Sequence, residues 1–442
     1  MPHLEDPYDR YRTQFQRIRD EFLHPRHPGE ERVELVCDDL AAPRFAYERD
    51  RLVVRSDPAD VRFLQEAFPG TTIGEEVFGT RLAHIGGREA RETLGMLRQA
   101  RGRRTGGLHH LLAVASDVNL CPADEPLPPQ TAVEPPSAAG QAGDGVIVDV
   151  IDTGLVADYE TVPWLASVGG QLRHKLGPGG DIPLDYGHGT FVTGVLRCVA
   201  PATTVRVSNA LQRAGAITEC GLRNALMAVL QSAPAPQIIS LSAGGTSEDG
   251  QTMLGLEGVV REIHKRGIVL VAAAGNHGNT NRFFPAAFPG VVSVGALRQD
   301  RNGKACFSNS GDWVSVYAPG ERLVNAFASG RYRVKHQRRD TCRFHQPGDT
   351  RWYPGCTCVT TLEKGTSITF GGIAQWSGTS FATPIVAALI ASRLSAAGGT
   401  PRQAADWLLR HPAKTIPGLG PVVLPGQSLS SRCTGSDCEG DC

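Results

Sequence analysis

The chain has 442 residues, 41% of them hydrophobic, and its 45 Lys and Arg balance 45 Asp and Glu for a formal net charge of +0. That length exceeds one average domain and can fill a sizeable core, so a large domain with a smaller companion is expected. The even balance excludes a global electrostatic draw to nucleic acid or an anionic membrane, and no apolar run is long enough to span a bilayer, the best being "GIVLVAAAG".

The opening residues, "MPHLEDPYDRYRTQFQRIRDEF", are charged throughout and lack the apolar core of a secretory leader. A soluble, cytoplasmic protein is therefore expected, with leaderless export left open. In that compartment most of the eleven cysteines would be reduced, and their odd number rules out complete internal pairing. Residues 1–120 read as a smaller α+β region, with "RLVVRS" as a strand and "PADVRFLQEAF" as a helix. A second helix, "REARETLGMLRQARGRR", places Leu94 and Leu97 at helical spacing. His109 and His110 read as a surface pair rather than a metal site. Residues 121–145, "CPADEPLPPQTAVEPPSAAGQAGDG", lack apolar periodicity and read as a linker.

From residue 146 the texture changes. "GVIVDVIDTGL", "TTVRVSNAL", "PQIISLSAGG", "GIVLVAAAGN" and "GVVSVGAL" are short, β-branched, near-continuous apolar runs. Between them lie helix-compatible stretches, "GTFVTGVLRCVA", "ECGLRNALMAVLQSA" and "MLGLEGVVREIHKRG". Buried strands alternating with helices predict an α/β fold, a mostly parallel β-sheet flanked by helices. Polar groups at the carboxyl ends of such strands are where a site belongs. Asp152 follows "VIVDVI", His188 sits in "DYGHGTFVTGVL", Asn276 ends "VLVAAAGN", and Ser380 lies in "SGTSFATP" before an apolar helix.

Each residue has an ordinary explanation: Asp152 a turn aspartate, His188 a packed turn histidine, Ser380 a helix cap. Asp149 competes with Asp152, and the two should point to opposite faces of the strand. Together they fit one chemistry. A serine hydroxyl is a poor nucleophile until an imidazole takes its proton, and the imidazole needs a buried carboxylate to fix its tautomer. An oxyanion needs donors already aimed at it, here the Ser380 backbone N–H at a helix start and the Asn276 amide.

In the order Asp, His, Asn, Ser, the segments "VIDTGL", "GHGTFVTGVL", "SLSAGG", "AAAGN" and "SGTSFATP" resemble the subtilisin family of serine proteases over roughly residues 144–412. "FFPAAFPGVVSVGAL" and "ACFSNSGDWVSVYAPG" also look like family stretches. The resemblance implies that Asp152 orients, His188 is general base and acid, Ser380 is the nucleophile and Asn276 the oxyanion donor. It makes Ser242, Ala243 and Gly244 one edge of a cleft that pairs with an extended peptide. Ala273, Ala274 and Gly275 would be the opposing wall, with Phe283 either near the floor of the first specificity pocket, shrinking it toward small or medium apolar residues, or simply in the core. A serine endopeptidase acting on peptide or protein follows, with no nucleic acid and no membrane as partner. The rivals are a catalytically silent peptide-binding module and a processing protease dedicated to one partner.

Phe191 stands where the family often has a second histidine, a position that packs beneath the site. Residues 328–372 read as a basic, polar insertion holding Cys342, His345, Cys356 and Cys358. Their spacing is not that of a zinc finger, so reduced thiols in a flexible loop are expected over zinc. No cofactor is needed for the chemistry; structural calcium is frequent in the family, and Asp158 and Asp181 offer carboxylates. The catalytic domain is expected over 146–412. The tail, 413–442, ends in "CTGSDCEGDC", where Cys433, Cys438 and Cys442 suit a metal tail, a disulfide tail or, best, disorder. Subtilisins often carry an inhibitory βαβ prosegment, and residues 1–120 suit one with cleavage near residues 118–125; a recognition module that stays attached is the alternative.

Overall fold

The computed structural model describes residues 9–24, 32–39, 44–102, 104–114, 125–132, 140–173, 176–335, 353–357, 359 and 362–429. The N-terminal region begins with helix α1 (Asp9–Leu23), followed by β1 (Leu35–Cys37), β2 (Ala46–Arg55), α2 (Pro58–Ala67), β3 (Thr72–Ile73), β4 (Thr80–His84), α3 (Ala90–Arg101) and β5 (Gly106–Val114). Helix α2 starts where Asp57 accepts from the N–H groups of Ala59 and Asp60, with Pro58 in its first turn. Glu89 does the same for α3 through Glu92 N. Both helices lay apolar faces on β2 and β5: Leu64, Leu94 and Leu97 meet Leu52, Val54 and Leu108 in one buried cluster.

The large domain supplies β6 (Ile147–Ile151), β7 (Gly169–Gly170), α4 (His188–Val199), β8 (Thr204–Ser208), β9 (Ala216–Thr218), α5 (Glu219–Leu230), β10 (Ile238–Leu241), β11 (Ala243–Gly244), α6 (Leu254–Lys265), β12 (Val269–Ala273), β13 (Val292–Leu297), β14 (Val316–Pro319), β15 (Leu323–Arg333), β16 (Ser367–Trp376), α7 (Thr379–Ala397), α8 (Pro401–Arg410), β17 (Lys414–Ile416) and β18 (Gly420–Val422). Its main sheet runs β17-β18-β14-β13-β12-β10-β6-β8-β7, parallel throughout except for the β17–β18 pair. Alternation along the strands sorts the core into two layers. Val269 and Val271 of β12 face α4 and α7, while Leu270 and Ala272 face α5 and α6. Among the described residues, α7 is the one helix long and apolar enough to cross a membrane, and most of it is buried inside the protein.

Three boundaries differ from expectation. The described part of the 121–145 "linker" is docked: Leu127 bridges Gln375 through backbone bonds of 2.9 and 2.8 Å, and buried Glu125 accepts from the Tyr332 hydroxyl and from Lys335 N. The domain does not stop at 412, because β17 and β18 extend the sheet and Val423 is fully buried. The 328–372 insertion has no separate start: β15 and β16 pair antiparallel from Leu323↔Trp376 out to Arg333↔Ser367, a ribbon packed against α4. Of the four Cys and His residues named within it, Cys342, His345 and Cys358 lie outside the described residues, as do Cys433, Cys438 and Cys442 of the tail. Cys356 is buried, with its Sγ 3.1 Å from that of Cys306.

Glu321, at the root of this ribbon, accepts from the Tyr353 hydroxyl and from the N–H groups of Gln299 and Thr357. Burial outweighs these bonds and pushes its carboxyl up to about 6. A raised carboxyl binds its proton more firmly folded than unfolded, so this contribution to stability, about 2 kcal/mol in all, is lost as pH rises through about 4.5 to 6, with about 1.3 kcal/mol of it going between those two values. Denaturant titrations at both pH values should show that part of the slope missing in Glu321→Gln; parallel slopes in parent and variant would remove the assignment.

Candidate active site

Asp152 sits one residue beyond β6, fully buried, where its Oδ1 accepts from Thr153 N at 2.7 Å and faces His188 Nδ1 at 2.7 Å. That contact puts the proton on Nδ1 and leaves Nε2 as the unprotonated ring nitrogen. His188 is the first residue of α4, also fully buried, preceded by Gly187 at φ 86°. A Cβ on Gly187 would lie 2.8 Å from the Phe327 ring, so glycine is needed for both dihedral and space. Beneath the imidazole lies an aromatic bed, Trp376 at 5.5 Å and Phe381 at 5.3 Å between centroids. Phe191 packs on Phe381 at 4.5 Å, beneath the site as expected. Asp149 is not a competitor: on the other strand face it binds Arg206 at 2.5 and 2.8 Å.

Ser380 occupies the first turn of α7, whose leading N–H groups an α-helix leaves without internal partners. Pro384, four residues on, cannot donate to the Ser380 carbonyl. Ser242 Oγ does so instead at 2.8 Å, and Ser380 Oγ reaches the Ser242 carbonyl at 3.4 Å. These two bonds fasten the helix start to the strand edge. Asn276 Oδ1 accepts from both Thr379 N (2.9 Å) and Thr379 Oγ1 (2.8 Å). This fixes the amide so that Nδ2 points away from Thr379; no described group accepts from it, though the residue is 1% exposed. A buried donor held without an acceptor is costly and suits a position where negative charge develops.

Thr379 and Asn309 were not singled out from the sequence. Asn309 accepts from His277 N at 2.9 Å and donates to Ala274 O at 2.8 Å, bracing the Asn276 loop. Their signal was present only as neighbours within quoted motifs, "SGTS" and "FSNSG".

The edge predicted for a peptide is β11 with Ser242, and it is paired. β5 lies antiparallel to it, Val114↔Ala243 and Ala113↔Gly244. On its other side β5 pairs with β9, Leu111↔Thr218 to Ala113↔Ala216. Ala274 and Gly275 stand opposite, Ala274 N bonded to Val294 O and Gly275 N to Thr379 Oγ1 at 3.2 Å. His109 and His110 are buried rather than on the surface, because β5 runs between the two parts of the chain. His109 Nδ1 faces Glu48 at 3.2 Å and its Nε2 accepts from Cys220 N; His110 Nδ1 faces Glu219 at 3.1 Å. Arg17 of α1 and Arg173 both grip buried Asp185, three residues before His188. Asp181 is taken by Arg331 of the ribbon, while Asp158 leads into a short turn through its carbonyl. Among the described residues no group of three or more His, Cys, Asp or Glu is arranged to hold a metal.

A model of the subtilase family matches residues 143–420. The chain is 35% identical over 210 residues to the thermophilic serine proteinase of Bacillus sp. (strain AK1), covering 43% of this chain and 48% of that protein. It is 30% identical to subtilisin DY of Bacillus licheniformis, over 44% of this chain and 72% of the relative. The match thus spans about half the length of the first relative and nearly three quarters of the second. Fervidolysin from Fervidobacterium pennivorans, a keratinolytic enzyme related to subtilisin, superposes with a TM-score of 0.57 over 87% of this chain and 61% of its own, at 17% identity. That likeness speaks to fold alone, and the fold is the expected one.

The glycine before His188 gives a direct check. Gly187→Ala forces a Cβ into Phe327 at a left-handed residue and should cost about 1–3 kcal/mol in urea denaturation; an unchanged midpoint would show that neither constraint operates.

Proposed function

The chain belongs to the subtilase family, and from that premise we propose that it is a serine endopeptidase working through Asp152, His188, Ser380 and Asn276. The observation that carries the reading is the buried 2.7 Å Asp152–His188 contact, combined with a serine at a helix start beside an amide donor that has no described acceptor. His188 Nε2 takes the Ser380 hydroxyl proton as Oγ adds to the scissile carbonyl carbon. The resulting oxyanion receives hydrogen bonds from Asn276 Nδ2 and the Ser380 N–H, and Asp152 stabilises the imidazolium. Collapse expels the amine, which takes its proton from His188, leaving an acyl ester on Ser380. A water activated by the same imidazole then hydrolyses that ester. None of these steps calls for a cofactor, and the substrate is an extended polypeptide.

The N-terminal region is, on this reading, an inhibitory prosegment rather than a recognition module that stays attached. What supports this is that β5 fills the peptide-binding edge between β9 and β11. Charged contacts cross from it to the large domain, Arg98 and Arg91 to Glu248 at 2.9 and 3.1 Å and Arg55 to Glu257 at 3.1 Å. A peptide that continues this ladder beyond Val114 offers its next residue to Ser242, whose carbonyl lies 3.4 Å from Ser380 Oγ. In this chain the next residue in sequence is Ala115, so the expected bond is Ala115–Ser116, upstream of the 118–125 range suggested by sequence.

Incubation of the full chain followed by mass spectrometry of the new amino terminus should find Ser116. Ser380→Ala should remain intact and lose both peptide hydrolysis and fluorophosphonate labelling. Equal processing in that variant would reject Ser380 as nucleophile, and a wild-type chain that hydrolyses no peptide would leave only a binding module. Thr379→Val, which removes one of the two bonds that orient the Asn276 amide, should lower kcat by roughly tenfold with KM little changed. That is less than the ~10²–10³ expected for losing the donor itself, the magnitude seen in subtilisin. A KM effect with kcat intact would place Thr379 in substrate binding instead.

A further inference from the structure

Resting on the reading of Ser380 as nucleophile, the geometry points to Phe283 as the residue that restricts this site to alanine or glycine immediately before the scissile bond. The slot for that side chain has two walls, β11 on one side and Ala273–Gly275 leading into Asn276 on the other. Each wall carries a glycine that faces the same ring. A Cβ on Gly244 would lie 2.4 Å from Cε1 of Phe283, and one on Gly275 would lie 2.9 Å from its Cγ. The ring therefore spans the slot from wall to wall, 3% exposed, on Ala273.

Nor can the backbone that carries the ring easily withdraw. Its neighbour Phe284 is tied to Gly245 in both directions, Gly245 N to Phe284 O at 2.9 Å and Phe284 N to Gly245 O at 2.8 Å. Moving this segment out means breaking a two-bond bridge that also positions β11. Ala273, Trp313 and His277 pack on the ring as they would on any buried phenylalanine. Two of its flanks, however, meet the bare backbones of the glycines that border the peptide edge and the oxyanion donor. With that volume occupied, a substrate Leu or Phe finds no room, whereas a methyl or a hydrogen needs none. The chain's own residue after Val114, an alanine, meets this restriction.

The test uses peptides identical except for Gly, Ala, Val, Leu or Phe before the scissile bond, with the full chain after self-processing. Wild type should favour Ala over Phe by at least ~100-fold in kcat/KM, the scale on which packed pockets discriminate. Phe283→Ala should raise kcat/KM for the Leu and Phe peptides by ~10-fold or more and narrow that ratio, with Phe283→Leu intermediate. Fluorophosphonate labelling reports whether each variant keeps a folded site. Wild type hydrolysing Phe or Leu peptides as well as Ala overturns the inference whatever the variants do, as does a labelled Phe283→Ala with the wild-type profile. Absence of hydrolysis of every peptide, with no labelling of wild type, would instead sink the peptidase reading itself.

Discussion

The geometry of the site depends on one contact, the buried Asp152–His188 pair at 2.7 Å. A carboxylate without solvent must be compensated by close, well-aimed donors, and that requirement shapes the backbone around it. Helix α4 has to start where the loop after β6 passes, so close that a Cβ on Gly189 would lie 2.5 Å from Gly154 O and 3.2 Å from Asp152 Oδ1. Gly154 and Gly187 both adopt φ 86° to allow the approach. The aromatic bed of Phe191, Trp376 and Phe381 then excludes water from below and couples the α4 start to the α7 start. In a dry pocket of this kind each oriented dipole acts at low effective dielectric, which is what lets an amide such as Asn276 matter.

A second constraint is backbone accounting at the start of α7. A proline within the helix removes one donor, and the orphaned carbonyl belongs to Ser380 itself. Ser242 supplies the replacement from the strand edge. One serine therefore joins two things that must keep register, the edge that aligns a peptide and the hydroxyl that would attack it. Thr379 does the equivalent on the other side by turning the Asn276 amide.

Much of this was legible in the sequence because parallel strands buried on both faces write unmistakable apolar runs; β6, β8, β10, β12 and β13 fall where those runs lie. The four candidate site residues stand out in the sequence as short motifs in a fixed order. What stayed hidden depends on partners distant in the chain. β9 and β11 are three and two residues long, too short for any periodicity, and exist only because β5 lies between them. His109 and His110 look like surface residues until Glu48 and Glu219 arrive from elsewhere. Glu125 makes its Pro-rich surroundings resemble a linker, yet Tyr332 and Lys335 bury it.

The same non-local pairing bears on how the N-terminal region is held and how it could leave. Strand edges such as β9 and β11 expose unpaired N–H and C=O groups when uncovered. On the proposed reading, a polypeptide substrate would replace the ladder bonds that β5 makes with β9 and β11, so those bonds would confer little advantage on the resident strand once it competed with substrate. The side-chain contacts are different in kind. Arg17 on Asp185, Arg91 and Arg98 on Glu248 and His110 on Glu219 involve acceptors outside the strand ladder, which an extended peptide does not supply. On that reading, retention of the N-terminal region rests on these side-chain contacts more than on the ladder bonds of β5. Asp185 illustrates the consequence. Against full burial, Arg173 and Arg17 together hold its carboxyl below the usual carboxylate range; departure of α1 would leave Arg173 alone to neutralise a charge three residues from His188.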